Sequence, residues 1–153
     1  NPDSITFPDS LKYKTLVEGR TVYGGGGIFP DVFVALDTTR VTKLHRNVVA
    51  KGVFARTVSE FVDGNRKVLL RKYSTFEEFE TGFEMSEKMY DRLIANAREE
   101  KVEFDEADVE KSKSLLMLQM KAVVAQGLYG TEAFYRVMCV ENAALDKVLE
   151  IIK

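Results

Sequence analysis

The stretch Asp105–Gly130, Asp-Glu-Ala-Asp-Val-Glu-Lys-Ser-Lys-Ser-Leu-Leu-Met-Leu-Gln-Met-Lys-Ala-Val-Val-Ala-Gln-Gly-Leu-Tyr-Gly, decides the fold. It opens on a residue type that caps helices. Glu106, Asp108 and Glu110 follow where the positive end of a helix dipole favours carboxylates. Leu116, Met120, Val123 and Val124 recur at helical spacing, and the stretch closes at Gly127 or Gly130. So long a run without Pro predicts one long helix.

The neighbouring segments read the same way. Ser86 stands where it would cap a helix carrying Met89, Leu93, Ile94 and Ala97. Ser74 and Glu77 have the spacing of a capping box, ahead of Phe76, Phe79 and Phe83 on a short helix. Phe54, Val58, Phe61 and Val62 make a stripe predicted to end before Gly64, and Val41, Leu44 and Val48 make another. Downstream, Thr131 is placed to cap a last segment with Phe134, Val137 and Met138, then Leu145, Val148, Leu149 and Ile152. No repeat of fixed period is present.

The chain changes character near residue 41. All three prolines (Pro2, Pro8, Pro30) and five of the ten glycines precede it, and residues 42–153 contain no Pro. Turn residues mark the first part and their absence marks the second. Arg20–Tyr23 and Val32–Leu36 read as strands, separated by four glycines and Ile28-Phe29-Pro30-Asp31. Two short strands do not make a stable sheet in water, so this head is expected to complete a larger sheet. The expected architecture is mainly α with a small β head: residues 1–41 a strand–glycine loop–strand unit, residues 42–153 a multi-helix unit.

Size and charge exclude several classes. At 153 residues the chain is long enough to bury a core without a disulfide, and its single Cys forms no intrachain bridge. No apolar run approaches the ~18 residues of a membrane span. The net charge of -2 argues against a strongly basic nucleic-acid binder. Charge is nevertheless segregated. Residues 42–72 carry eight basic against two acidic side chains, and residues 73–110 carry thirteen acidic against four basic. The two runs are expected to face each other or to be solvated. The start, Asn1-Pro2-Asp3-Ser4, has no Met, basic stretch or apolar h-region and reads as an interior segment, so it says nothing about compartment.

No constellation of reactive residues stands out. Gly24–Gly27 lack the Lys and Ser/Thr of a phosphate loop, Pro30 removes a donor, and no helix follows directly. What four glycines permit is a backbone that passes close to another backbone, or takes positive φ repeatedly. His45, the only histidine, has no HxxH or HxxE partner and is expected on a helix flank. Cys139 lies in the apolar run Val137–Val140 and is expected as buried filler. Lys111-Ser112-Lys113-Ser114 and Ser86-Glu87-Lys88 bring Ser and Lys together, but in polar stretches where a lysine keeps its proton. No metal and no cofactor are implied.

One segment is specific. Gly19-Arg20-Thr21-Val22-Tyr23-Gly24-Gly25-Gly26-Gly27-Ile28-Phe29-Pro30-Asp31-Val32 resembles the G-R-x-[IV]-x-G-x-G-I-x-P-D-[VI] segment of the carboxy-terminal processing serine peptidases, the tail-specific proteases. Ser4–Tyr13 resembles an insertion in some bacterial members, and Lys72–Phe79 resembles stretches of their helical tails. The resemblance implies that this segment ends a protease core, downstream of a Ser nucleophile in an S-A-S-like turn and a Lys base in a G-K-G-like segment. Neither pattern occurs in this chain, so no catalytic residue maps onto it. Gly19, Arg20, Gly24, Gly25, Gly26, Gly27, Ile28, Pro30 and Asp31 carry over as structural motif residues. The resemblance further implies polypeptide substrates for the parent peptidase and a periplasmic or cell-envelope setting. The apolar Val32-Phe33-Val34, left without a sheet, is expected to seek pairing and so to dimerise the chain through its head. The competing expectation is a stand-alone helical protein-interaction module. A third, nucleic-acid binding through the basic stretch Arg56–Lys72, is disfavoured by the overall charge.

Overall fold

The computed structural model describes residues 8–25, 32–35 and 37–152. The chain divides into two compact units, Asn1–Ala35 and Leu36–Lys153. The fold is mainly helical with one small antiparallel sheet, as its sequence implies.

In the first unit, a 3₁₀ turn at Asp9–Leu11 leads into β1 (Lys12–Lys14), which pairs antiparallel with β2 (Thr21–Tyr23) in the register Lys12↔Tyr23, Tyr13↔Val22, Lys14↔Thr21. The first strand expected from sequence is thus present. The second expected strand, Val32–Leu36, is not formed in its described part, residues 32–35, and the strand paired with Thr21–Tyr23 is Lys12–Lys14. The hairpin loop explains the pairing. Thr15 accepts the Gly19 N–H at its carbonyl (3.1 Å) and the Arg20 N–H at Oγ1 (3.0 Å), while Gly19 takes φ +64°. That local closure brings Lys14 and Thr21 together at little loop-entropy cost. The strands bury no side chain.

The second unit contains α1 (Lys43–Ala50), α2 (Val53–Lys72), α3 (Phe76–Gly82), α4 (Glu87–Glu99), α5 (Glu106–Tyr129), α6 (Thr131–Cys139) and α7 (Ala143–Ile151). α5 is the axis of the unit and contacts α1, α2, α3, α4 and α6. Its sequence permits this. Leu116, Met120, Ala122, Val124 and Ala125 are buried, and Val109, Met117, Leu118, Val123 and Leu128 are partly buried against the same core. A helix apolar on most of its circumference is stable only when surrounded.

Several boundaries differ from the sequence reading. α2 does not end before Gly64 but runs to Lys72, because the inward stripe Val58, Val62 resumes at Leu69 and tolerates an exposed glycine. The capping box at α3 uses Thr75 and Glu78, one residue later than Ser74 and Glu77. The Glu78 carboxylate accepts N–H groups from both Ser74 (2.7 Å) and Thr75, so it serves the turn as well as the cap. The last segment is two helices. Asn142 breaks it and caps α7, its Oδ1 accepting from Ala144 and Leu145 N–H. Ser86 and Asp105 occupy the expected N-cap positions, without a side-chain hydrogen bond to the helix.

An aromatic cluster lies between α3 and the end of α5. Phe79 is fully buried, stacks on Phe83 at 4.5 Å between ring centroids, and meets Tyr73 edge-on at 5.9 Å. Phe76 and Tyr129 close the cluster. The two tyrosine hydroxyls are satisfied by backbone carbonyls, Tyr73 to Gly82 (2.8 Å) and Tyr129 to Tyr73 (2.7 Å). The phenylalanines at spacings of three and four are therefore core.

Ion pairs join the two charge runs in part. Lys43 meets Glu103 at 3.5 Å, Arg56 meets Glu100, and Glu60 meets Arg92 at 3.2 Å. No described helix is long and apolar enough to cross a membrane.

Candidate functional site

The glycine segment is the first place to look, because it carries the specific sequence signal. Gly19 supplies the positive φ of the hairpin loop. The Gly24 N–H donates to the Leu11 carbonyl (2.8 Å), continuing the strand pair beyond Tyr23. A Cβ on Gly24 would stand 2.8 Å from Tyr13 Cε2, inside van der Waals contact. Gly25 has φ +93°, and a Cβ there would press on Leu11 at 3.3 Å. Positive φ occurs at Gly25, and what comes close to Gly24 and Gly25 is the side chains of Tyr13 and Leu11, where another backbone was expected. The Arg20 backbone N–H helps close the hairpin loop. Gly26, Gly27, Ile28, Pro30 and Asp31 lie outside the described residues. The described part of the motif thus shapes backbone and presents no reactive side chain beyond Arg20.

A second constellation was not read from sequence: a polar seam between α1 and α5. Ser112 is fully buried and Asp108 nearly so, one turn apart on α5. The Thr42 and Ser112 hydroxyls are 2.5 Å apart, and Ser112 Oγ also donates to the Arg40 carbonyl (3.2 Å). Thr42 caps α1 by accepting from His45 N–H, while Asp108 Oδ2 accepts from Leu44 N–H (3.3 Å). Two of the first amides of α1 are thereby satisfied, one by its own cap and one by a carboxylate from another helix. Farther along, His45 Nε2 lies 3.0 Å from Gln119 Oε1, and His45 Nδ1 is buried without a partner. The signal was present in sequence as Asp108 and Ser112 at i, i+4 in line with Leu116 and Met120, all of which face inward. His45 is half-buried on the flank of α1 that faces this seam.

The seam holds groups used in nucleophilic catalysis, but its bonds are those of a helix clamp. The Ser112 hydroxyl contacts a threonine and a carbonyl, neither of which removes a proton. Lys113 turns elsewhere: its ammonium pairs with Glu87 at 2.5 Å, and that hydrogen bond holds its pKa above the ordinary lysine value. A general base requires the opposite shift. Cys139 departs from its expected burial: it is exposed at the end of α6, where Ala133 and Val137 form the inward face. Among the described residues no group of three or more His, Cys, Asp or Glu side chains is arranged to hold a metal.

Tyr90 shows the clearest perturbed titration. Its hydroxyl donates to the Val109 carbonyl at 2.5 Å, and its ring is 2% exposed. Burial, then the nearby charges of Glu110, Asp91 and Glu87, push its pKa up to about 12. The folded protein therefore keeps a proton on Tyr90 that the unfolded chain releases near pH 10. Between pH 10 and 12 the unfolded state binds fewer protons, so this residue makes stability fall as pH rises. The contribution is full below pH 10 and declines by at most about 1.4 kcal/mol per pH unit in that window. Tyr90→Phe should flatten this part of the alkaline stability curve, read by urea denaturation from pH 9 to 11.5.

No curated protein and no solved structure matches the chain. A family model does match, over residues 44–130, from the buried Leu44 of α1 through the glycine that ends α5. The matched span holds α1 from its second residue, α2 to α5, the aromatic cluster and the Leu44, His45, Asp108, Ser112 and Gln119 part of the polar seam; Arg40 and Thr42 of the seam and the glycine hairpin lie outside it. Because it covers more than half of the sequence, the chain belongs to this family, described as a family of unknown function (DUF8443).

Proposed function

We propose that this chain is the C-terminal part of a carboxy-terminal processing serine peptidase, downstream of its Ser nucleophile and Lys base. In this reading residues 1–41 end the protease core. The helices are a non-catalytic tail that braces the enzyme, docks polypeptide substrates or joins copies of it in the bacterial periplasm or envelope. One observation carries the reading: β1 and β2 bury no side chain, yet Gly24 and Gly25 are fitted closely to Tyr13 and Leu11. So exacting a backbone on a sheet without a core makes sense as the margin of a larger sheet. Tyr13 and Phe33 are correspondingly exposed, at 58% and 54%. The same exposed head would pair two copies where no larger sheet covers it.

The experiment is to sequence the coding region in frame before Asn1 and assay the purified chain on unstructured polypeptides. The expected result is a small-residue Ser turn followed by a Gly-Lys-Gly segment upstream, and no cleavage by the chain itself. An unrelated upstream domain, or cleavage by the isolated chain, overturns the reading.

A second reading is a stand-alone helical interaction module. It is favoured by the family match, which starts at residue 44 and leaves the head out, and by the separate core of the helical unit. A start codon close before Asn1 would decide for it.

A further inference from the structure

We propose that the C-terminal half of α2, with the groove beside it, docks an acidic polypeptide segment carrying an aliphatic anchor. The basic run of the sequence divides in two. In its first part, Lys43 and Arg56 pair with carboxylates of the acidic run, while Arg46 and Lys51 donate to the Val41 and Lys101 carbonyls. In its last two turns, Arg66, Lys67, Arg71 and Lys72 meet no carboxylate among the described residues. Arg66 donates to the Gly127 carbonyl at 2.7 Å, and the Lys72 ammonium lies 4.9 Å over the Tyr73 ring. All four are exposed, so four positive charges within seven residues face solvent without a carboxylate partner, Arg71 and Lys72 in the last turn, where the helix dipole favours cations.

A groove of about 300 Å³ lies between α2 and α5, with Arg66 among its lining residues. Val62, Val123 and Gly127 give it an apolar floor, with Ser59, Asp63 and Gln126 at its rim. Gly127, which has no Cβ, lets α5 pack closely against Val62 of α2 here. One placed there would lie 3.1 Å from Val62 Cγ1. An apolar recess bordered by a few charged groups suits one aliphatic side chain with carboxylates beside it.

The surroundings favour a peptide over other polyanions. The exposed apolar residues interleaved with the cations are Val68 and Leu70, and no exposed aromatic stands on α2 to stack a base. The net charge of -9 over the adjoining residues 73–110 opposes a long phosphate backbone. Two exposed aliphatic side chains are too few for a membrane-binding face.

The test is fluorescence anisotropy on the intact chain at low ionic strength, with a labelled peptide of six glutamates interrupted by one leucine. Saturable binding is expected, weakened about tenfold in K67Q/R71Q, two exposed residues that hold no ion pair. It should also weaken severalfold when the peptide's leucine becomes serine. Circular dichroism of K67Q/R71Q should match the unaltered chain. If that variant loses helix, loss of binding by the unaltered chain on adding salt reads the same electrostatic contribution. The proposal is overturned by absent or salt-insensitive binding, by full affinity in a folded K67Q/R71Q, or by indifference to the leucine. Tighter binding of oligothymidine, or of phosphatidylserine–phosphatidylcholine vesicles, would overturn it too.

Discussion

Phe79→Ala is expected to destabilise the helical unit by about 3–5 kcal/mol, the usual cost of removing a buried aromatic ring. Phe79 has no exposed surface and sits among Tyr73, Phe76, Phe83 and Tyr129, with centroid separations from 4.5 to 6.4 Å. Its loss opens a cavity that α3 alone cannot close, because Tyr73 is fixed by its bond to Gly82 and Tyr129 by its bond to Tyr73. Edge-on and stacked ring contacts disappear with it. A small domain has only about 5–15 kcal/mol of total stability, so the variant should melt many degrees lower. Thermal unfolding followed at 222 nm measures this. An unchanged melting temperature would mean that the aromatic cluster is not the core of the unit.

Gly130→Ala is expected to cost about 1–3 kcal/mol, and for a different reason. Gly130 joins α5 to α6, the pair of helices in most extensive contact. Its backbone has φ +97° and ψ -179°, a conformation essentially reserved for glycine. A Cβ there would touch nothing within 4 Å, so the penalty is backbone strain with no steric clash. Gly64→Ala provides the control. Gly64 lies inside α2, also with open space around it. In a helix interior alanine is favoured over glycine by nearly 1 kcal/mol, so that variant should be stabilised. Urea denaturation of both variants tests the pair. Equal effects of the same sign would contradict the assignment of Gly130 as a strained corner.

The helices were legible where an apolar stripe and a stop signal agreed. α5 illustrates this, with Asp105 before it and Gly130 after it. Boundaries failed where two residues competed for one task. Ser74 and Thr75 both precede a phenylalanine-rich turn, and Glu78 bonds to both, so spacing alone did not choose the cap. Gly64 looked like a stop because glycine is a poor helix former, yet packing of Leu69 outweighs the modest local cost. Cys139 sat in an apolar tetrapeptide and proved exposed, since the end of a helix turns each successive side chain by about 100°.

The candidate sites divide in the same way. The positive φ of Gly25 was announced by residue type, but which side chains lie against Gly24 and Gly25 was not. The partner strand was not announced, because hairpin closure by Thr15 and Gly19 is a local event that a longer apolar run disguised. The seam of Thr42, Asp108, Ser112 and Gln119 needed the fold, since its members lie up to 74 residues from their partners.

By itself the sequence determined a mainly helical chain with a small β head, the central helix and the segregation of charge. These follow from periodicity, capping and turn residues, which act within a few residues of one another. Only the tertiary structure decided which basic residues are neutralised, where the polar seam forms and which aromatic ring is the innermost. Those outcomes depend on which surfaces meet, and burial and pairing energies exist only after the helices have packed.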